Sequence, residues 1–365
     1  MSNDFCRFLS NGYRFKASGN DLTYAPCCWY RKELSVYAAD FAEQKQKISK
    51  IKEWTEDCST CKKIELSGVY GNRSPRQRSF YEIPDSELPD NVPAWIEFSI
   101  DDTCNAACVI CGPWHSTTWQ KQEVKFGVIP SVPLKRTAEH FLADINARFS
   151  LQRVRSVSFL GGEPFQSSIP LTVCRQLAHI HGSLAPVSVH FQTNGSVEPE
   201  PELLSLLQNC GKLRLNFSID GVADRFEYLR YPLRWQRVQT VIPRLLSLAG
   251  PTVYYSVLAT LNPLNCLYYD EVEQWTQQMF NGVQLQPVKP NRASGRLDLA
   301  YTPRALRLMV YQKFGKNHPV SRMFSNLEYK TGTEFMHWVN WLDGSRKLDW
   351  RTVFPDSVAS LSKLL

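Results

Sequence analysis

The chain has 365 residues, 43% of them hydrophobic, and a formal charge of +7, which is enough apolar material for one large core with a small appendage. No run of five or six basic residues points to nucleic acid. The longest apolar stretches, such as Val253 to Leu261, fall short of the roughly 20 residues that cross a bilayer, and the opening MSNDFCRFLSNGYRF lacks the basic-then-apolar order of a secretory signal. The expectation is a cytoplasmic protein with neither a membrane nor a nucleic-acid partner. In that reducing compartment eleven cysteines read as metal or cluster ligands rather than disulfides.

Residues 1 to 92 hold Cys6, the adjacent Cys27 and Cys28, and the CSTC of Cys58 and Cys61, with few strand-like runs. A CxxC with further cysteines suits a zinc ribbon or an iron-sulfur cluster, and spacing alone leaves the two open. Arg73, Arg76 and Arg78 in GNRSPRQRSF read as a solvated linker, and IPDSELPDNVP marks a boundary. From residue 93 to about 291, short β-rich runs alternate with amphipathic segments, the signature of βα units about a parallel sheet. The strands are expected at Trp95 to Asp101, Val154 to Leu160, Val187 to Gln192, Leu213 to Ile219, Val253 to Ala259 and Val283 to Val288. LKRTAEHFLADINARF, PLTVCRQLAHIHG, PELLSLLQNCG and DEVEQWTQQMF between them repeat apolar residues at helical spacing. Six such repeats make a partial barrel or an open doubly wound sheet, which periodicity does not separate. Residues 292 to 365 open with a helical run from Pro303 to Phe314 and are expected to pack on the main domain.

The chemistry begins in DDTCNAACVICG, just past the first strand, where Cys104, Cys108 and Cys111 form Cx3CxxC. Positions i, i+4 and i+7 are also a helix stripe, and free cysteine is a common core residue. The flanking Asp101, Asp102, Gly112 and Pro113 favour a loop that holds a cluster. A structural zinc site needs a fourth ligand, for which His115 is the nearby candidate, so three thiolates suit a [4Fe-4S] cluster with one open iron better.

These residues resemble the signature of the radical S-adenosylmethionine (radical SAM) superfamily, Cx3CxΦC, with Ile110 at the Φ position. The resemblance implies a partial (β/α)6 TIM-like barrel. It further implies that S-adenosylmethionine chelates the open iron and is cleaved reductively to a 5′-deoxyadenosyl radical. FLGGEPF after the second strand resembles the methionine-binding GGEP, giving roles to Gly161, Gly162 and Glu163, whose glycines let backbone approach closely. QTNG with Asn194 and FSIDG with Ser218 resemble ribose-binding segments, though both are also ordinary turns. Arg230 is similar to the arginine that meets the cofactor carboxylate, with Arg234 as competitor. All of these fall at or just beyond strand C-termini, where α/β barrels gather their sites.

The N-terminal segment is similar to the twitch and SPASM modules that carry auxiliary [4Fe-4S] clusters, here ahead of the barrel as in radical SAM proteins with an N-terminal twitch domain. Cys6, Cys27, Cys58 and Cys61 are then its ligands, with Cys28 either spare or exchanging with Cys27. Cys174 and Cys210 read as core; Cys266 lies singly after the fifth strand. The resemblance also implies a flavodoxin or ferredoxin-type electron donor. The expected substrate is a peptide, crosslinked or oxidised, with the segment Pro113 to Pro133 bordering the cavity; a sugar or small metabolite is the alternative. The rivals of other classes are a structural zinc protein and a pure electron carrier. No catalytic acid or base is assigned.

Overall fold

The computed structural model describes residues 5–66, 91–126 and 134–364, save 249, 251, 284, 286–288, 294 and 326. Arg73, Arg76 and Arg78, most of IPDSELPDNVP and the last part of the Pro113 to Pro133 segment lie outside the described residues. The chain forms two compact units, Met1–Thr103 with Ser131–Gln192 and Pro199–Arg214, and Cys104–Pro130 with Thr193–Glu198 and Leu215–Leu365. The class is α/β with a parallel-strand sheet, that of a partial TIM-like barrel.

In the first unit the strands are β1 (Gly12–Ser18), β2 (Asp21–Ala25), β3 (Leu34–Ser35), β4 (Trp95–Ser99), β5 (Ser156–Phe159) and β6 (Ser188–Thr193, its last residue in the second unit). Their order is β3-β2-β1-β4-β5-β6. The first three lie in the segment read from sequence as poor in strands. Tyr13, Phe15 and Ala17 alternate inward along β1, and a two-residue Gly19-Asn20 turn, Gly19 at φ 59°, folds β2 back against it. β1 then runs parallel to β4, Arg14 beside Glu97 and Lys16 beside Ser99. The N-terminal segment is therefore hydrogen-bonded into the sheet of the main domain.

β4 to β6 are parallel and in continuous register, and successive side chains point to opposite faces. One face carries Ile96, Phe98, Val157, Phe159, Val189 and Phe191, all at most 2% exposed. Phe98 stacks on Phe159 at 5.7 Å and Phe159 on Phe191 at 5.1 Å. Each such ring contributes roughly 2 to 3 kcal/mol by burial. Helices Ala138–Arg148, Ile169–His181 and Pro201–Gln208 belong to this unit. The first starts where Thr137 accepts a hydrogen bond from His140 N–H, and the second stops at Gly182, left-handed at φ 78°.

The second unit carries most of β7 (Lys212–Ser218), then β8 (Val253–Leu261) and β9 (Lys289–Arg292), in that order. The sixth strand expected at Val283 to Val288 falls largely outside the described residues; Leu285 bridges to Tyr255, and the strand proper is β9, paired parallel to β8. Helices Trp235–Leu246, Tyr269–Met279, Arg304–Phe314 and Thr333–Arg346 complete it. No helix among the described residues is long and apolar enough to cross a membrane.

Candidate cluster and cofactor site

Cys104 to Cys111 take no helical conformation, so the cysteines lie on a loop and not on a core stripe. Within the second unit this loop is strapped from two sides. Loop N–H groups of Ala107 and Val109 donate to Tyr231 O at 2.6 Å and Leu229 O at 2.8 Å. At the start of helix Thr117–Phe126, Ser116 Oγ donates to Ala106 O at 2.5 Å, Thr118 Oγ1 to Cys104 O at 2.6 Å and the Trp119 indole N–H to Cys108 O at 2.9 Å. Side chains thus satisfy the loop carbonyls that a helix would have paired. Cys108 is buried, Cys104, Ile110 and Cys111 are half-buried, and none of the cysteines forms a disulfide. Burial raises the Cys108 thiol and pushes Cys111 up to about 12.

Two buried guanidinium groups serve this loop. Arg230 bridges Asp220, Nη2 to Oδ2 at 2.7 Å, and reaches Cys108 Sγ at 3.8 Å. Burial opposes its charge, but Asp220 and Cys108 outweigh that and raise its pKa. Asp220 is itself fixed, accepting from Thr260 N–H at 2.6 Å. Arg346 was given no role from the sequence. It comes from the last turn of helix Thr333–Arg346, donates to Ala107 O at 2.7 Å and lies 4.8 Å over the Trp119 ring, its pKa lowered to about 10 by burial. Arg230 Nε and Arg346 Nε and Nη1 are buried with no hydrogen-bond partner. Buried cations with unfilled donors beside a cysteine loop match an anionic, sulfide-bearing group.

Asn194, read as a ribose contact, is joined to the cysteine loop: its Nδ2 donates to Asn105 Oδ1 at 2.9 Å, and its Oδ1 accepts from Ser196 N–H at 2.9 Å. Asn105 closes the ring by donating to Ser196 Oγ at 2.9 Å. Ser218 is half-buried at the end of β7. Arg234, the competitor of Arg230, is exposed and pairs with Glu227.

In the first unit Gly161 and Gly162 close the β5 turn on the backbone past β4. A Cβ on Gly162 would stand 2.1 Å from Thr103 O, and one on Gly161, at φ 114°, 2.6 Å from Asp101 O. The space left by their missing side chains is occupied by this loop backbone. Glu163 is 1% exposed; its N–H donates to Thr103 O at 2.7 Å and its carboxylate accepts from Phe165 N–H at 3.3 Å. The sequence-predicted GGEP group therefore meets the Asp101 to Thr103 segment that leads into the cysteine loop.

The N-terminal cysteines form a group of their own in the same unit. Cys6, Cys58 and Cys61 are buried, Cys27 half-buried and Cys28 exposed. Arg31 N–H donates to Asp57 O at 3.2 Å and joins the Cys27 loop to the Cys58 turn. Cys27 is pushed up to about 12 by burial and then by Cys6 and Cys61, and Cys61 to about 12 by burial and then by Cys6 and Cys58. Beside Cys58, Thr55 Oγ1 and Ser59 Oγ are buried without a partner, donors that would suit a bridging sulfide. No three His, Cys, Asp or Glu side chains among the described residues surround a single ion; a cubane needs its thiolates spread about its faces. Cys174, Cys210 and Cys266 are all buried.

Residues 99–260 match the radical SAM superfamily model. No curated protein matches the sequence. Among solved structures, Streptococcus suis SuiB bound to S-adenosylmethionine is 12% identical at a TM-score of 0.36, covering 57% of this chain and 41% of that one. Native anSMEcpe with bound AdoMet is 15% identical at 0.40, covering 60% and 58%. The chain thus spans about half the length of these two proteins.

Proposed function

On the premise that residues 99–260 form a radical SAM superfamily domain, we propose that the chain is an enzyme that reductively cleaves S-adenosylmethionine and removes a hydrogen from a peptide substrate. Cys104, Cys108 and Cys111 hold a [4Fe-4S] cluster in this reading, and Gly161, Gly162, Glu163, Asn194, Ser218, Arg230 and Ile110 shape the place for S-adenosylmethionine. The reduced cluster, when bound, would supply one electron to the sulfonium, whose S–C5′ bond then breaks to give methionine and the 5′-deoxyadenosyl radical. The observation that carries the reading is the strapped, non-helical cysteine loop with two buried guanidinium groups that hold it and still have unfilled N–H donors, Nε of Arg230 and Nε and Nη1 of Arg346. Fixed positive charge there favours the thiolate forms that a cluster needs, against the burial that raises the free thiols. Arg230 holds its position through Asp220, and Arg346 neutralises the loop from the C-terminal helix.

Cys6, Cys27, Cys58 and Cys61 hold a second, auxiliary cluster in the same proposal, with residues 1–92 as a twitch-like module, 93–291 as the barrel and 292–365 as the closing segment. Cys6, Cys27 and Cys61 influence one another, and Cys28, which also acts on Cys61, is set apart from them by its exposure, which supports that ligand choice. A protein-borne electron donor and a cytoplasmic setting accompany it.

Anaerobic reconstitution tests the reading. The expected result is about eight irons per chain with absorption near roughly 400 nm and 5′-deoxyadenosine formed with dithionite. The Cys104→Ala, Cys108→Ala, Cys111→Ala variant should keep about half the iron and form none. Zinc without colour, or 5′-deoxyadenosine from that variant, would overturn it.

A further inference from the structure

The two guanidinium groups at the cysteine loop are not equivalent. Arg230 comes with its counter-charge: Nη2 meets Asp220 Oδ2 at 2.7 Å, and both side chains are buried. It brings a contact with Cys108 Sγ at 3.8 Å, while the ion pair as a unit is close to neutral. Arg346, 7% exposed, bonds to neutral acceptors. Its Nη2 donates to Ala107 O at 2.7 Å and to Gln122 Oε1 at 3.2 Å, and its buried Nε and Nη1 have no acceptor among the described residues. Asp343, one turn back on the same helix, is committed elsewhere, Oδ1 accepting from Tyr228 Oη at 2.8 Å and Oδ2 from Trp350 N–H at 3.0 Å.

Partial charges make this burial tolerable. Ala107 O, the rings of Trp119 and Tyr231, each 4.8 Å away, and the C-terminal end of helix Thr333–Arg346 all turn negative charge toward the guanidinium. Each offsets only part of a unit charge, so most of the positive charge of Arg346 remains beside Cys108. Of the side chains around it, Cys108 favours that charge most, ahead of Tyr228, Tyr231 and Asp343. Trp119 fixes the spacing. Its indole N–H donates to Cys108 O at 2.9 Å, and its ring stacks at 5.7 Å on Trp338, about two turns before Arg346 on the same helix. The helix thus grips the cysteine loop at two points. A [4Fe-4S] core on three thiolates is an anion that becomes more negative by one charge when an external donor gives it an electron. A fixed cation beside it lowers the energy of the reduced form more than that of the oxidised form.

We propose that Arg346 is a positioning residue that raises the reduction potential of the cluster in this loop, through its charge and its bond to Ala107 O. It lies outside the 99–260 span of the family match, so the closing segment takes part in the electron step as well as in packing. The proposal rests on the reading that Cys104, Cys108 and Cys111 hold the cluster, and it adds which side chain sets how readily that cluster is reduced.

Redox titration of the reconstituted full-length protein, followed by low-temperature EPR, tests it. The signal of this cluster is the part of the reduced spectrum that changes when S-adenosylmethionine is added. Arg346→Gln removes the charge and keeps an amide donor. Its reduction equilibrium should fall tenfold or more, a midpoint lower by about 59 mV or more for a one-electron couple. Arg346→Lys keeps the charge and should stay within threefold of the parent. Gln122→Glu, at a half-buried position, leaves Arg346 and its packing in place and gives it a counter-charge. It should shift the equilibrium in the same direction by threefold or more, and it decides the matter if Arg346→Gln does not fold or load. A midpoint that is unchanged or raised in Gln122→Glu, or that falls as far in Arg346→Lys as in Arg346→Gln, would overturn the proposal and leave Arg346 a packing residue. A parent protein whose reduced spectrum does not respond to S-adenosylmethionine overturns the cluster reading itself; a parent that responds, with potentials insensitive to these variants, removes this inference alone.

Discussion

Glu97 is a buried acid in the middle of a sheet, and its burial pushes it up to about 7 while Arg14 pulls the other way. Its folded pKa exceeds the usual carboxylate value, so the folded state binds the proton more tightly than the unfolded chain does. The contribution to stability is complete below about pH 4.5 and is lost as pH rises through 7. Replacing the carboxyl by an amide removes that loss. Glu97→Gln should therefore gain stability over the parent chain between pH 4.5 and 7.5, by as much as about 3 kcal/mol, with no such trend below pH 4. Urea denaturation of both proteins across that range measures it; parallel curves would show that Glu97 ionises normally.

At the scale of elements, the cysteine loop and the βα alternation were legible because their signals are local. Cx3CxxC, the flanking aspartates and Gly-Pro, and five of the six strands fall within a few residues of where the fold puts them. The N-terminal hairpin is less legible: GYRFKASGNDLTYA alternates and carries a Gly-Asn turn, but the surrounding cysteines give the segment the composition of a separate module. Arg346 was not legible at all. Its partner, Ala107 O, is 239 residues away, and no spacing rule connects a C-terminal helix to a loop at that distance. The roles of Gly161 and Gly162 were open to sequence only as permission for close approach, and the fold supplies the neighbour: the Asp101 to Thr103 backbone. A methyl at Gly162 meets Thr103 O at 2.1 Å, whereas one at Gly182 meets nothing within 4 Å and pays only for its left-handed φ of 78°. Gly162→Ala should cost about 3 kcal/mol or more, since backbone and not a flexible tip must move, and Gly182→Ala about 1 kcal/mol. Thermal denaturation of the two variants gives the comparison, and equal losses would mean that the turn relaxes freely.

For the molecule as a whole, the parallel pairing of β1 with β4 sets how separable the N-terminal cysteine segment is. Five consecutive residue pairs, Gly12 with Trp95 through Lys16 with Ser99, make this junction. Asn11 Nδ2 and Tyr13 Oη add hydrogen bonds of 3.0 Å to Val92 O and 2.7 Å to Asn91 O. Cutting there uncovers a row of backbone donors and acceptors along β4, together with Trp95, which packs edge-on to Phe8 at 5.1 Å. A bare edge of apolar strand is a template for pairing with other chains. A chain shortened to begin at residue 92 should therefore associate or precipitate, however completely its own cysteine loop is loaded with iron. A chain of full length in which Cys6, Cys27, Cys58 and Cys61 are all serine keeps β1 in place and should stay dispersed with about half the iron. Size-exclusion chromatography under anaerobic conditions separates the two cases. A dispersed, iron-loaded shortened chain would show that β1 to β3 are an appendage, and that the auxiliary segment is joined to the sheet without being part of its stability.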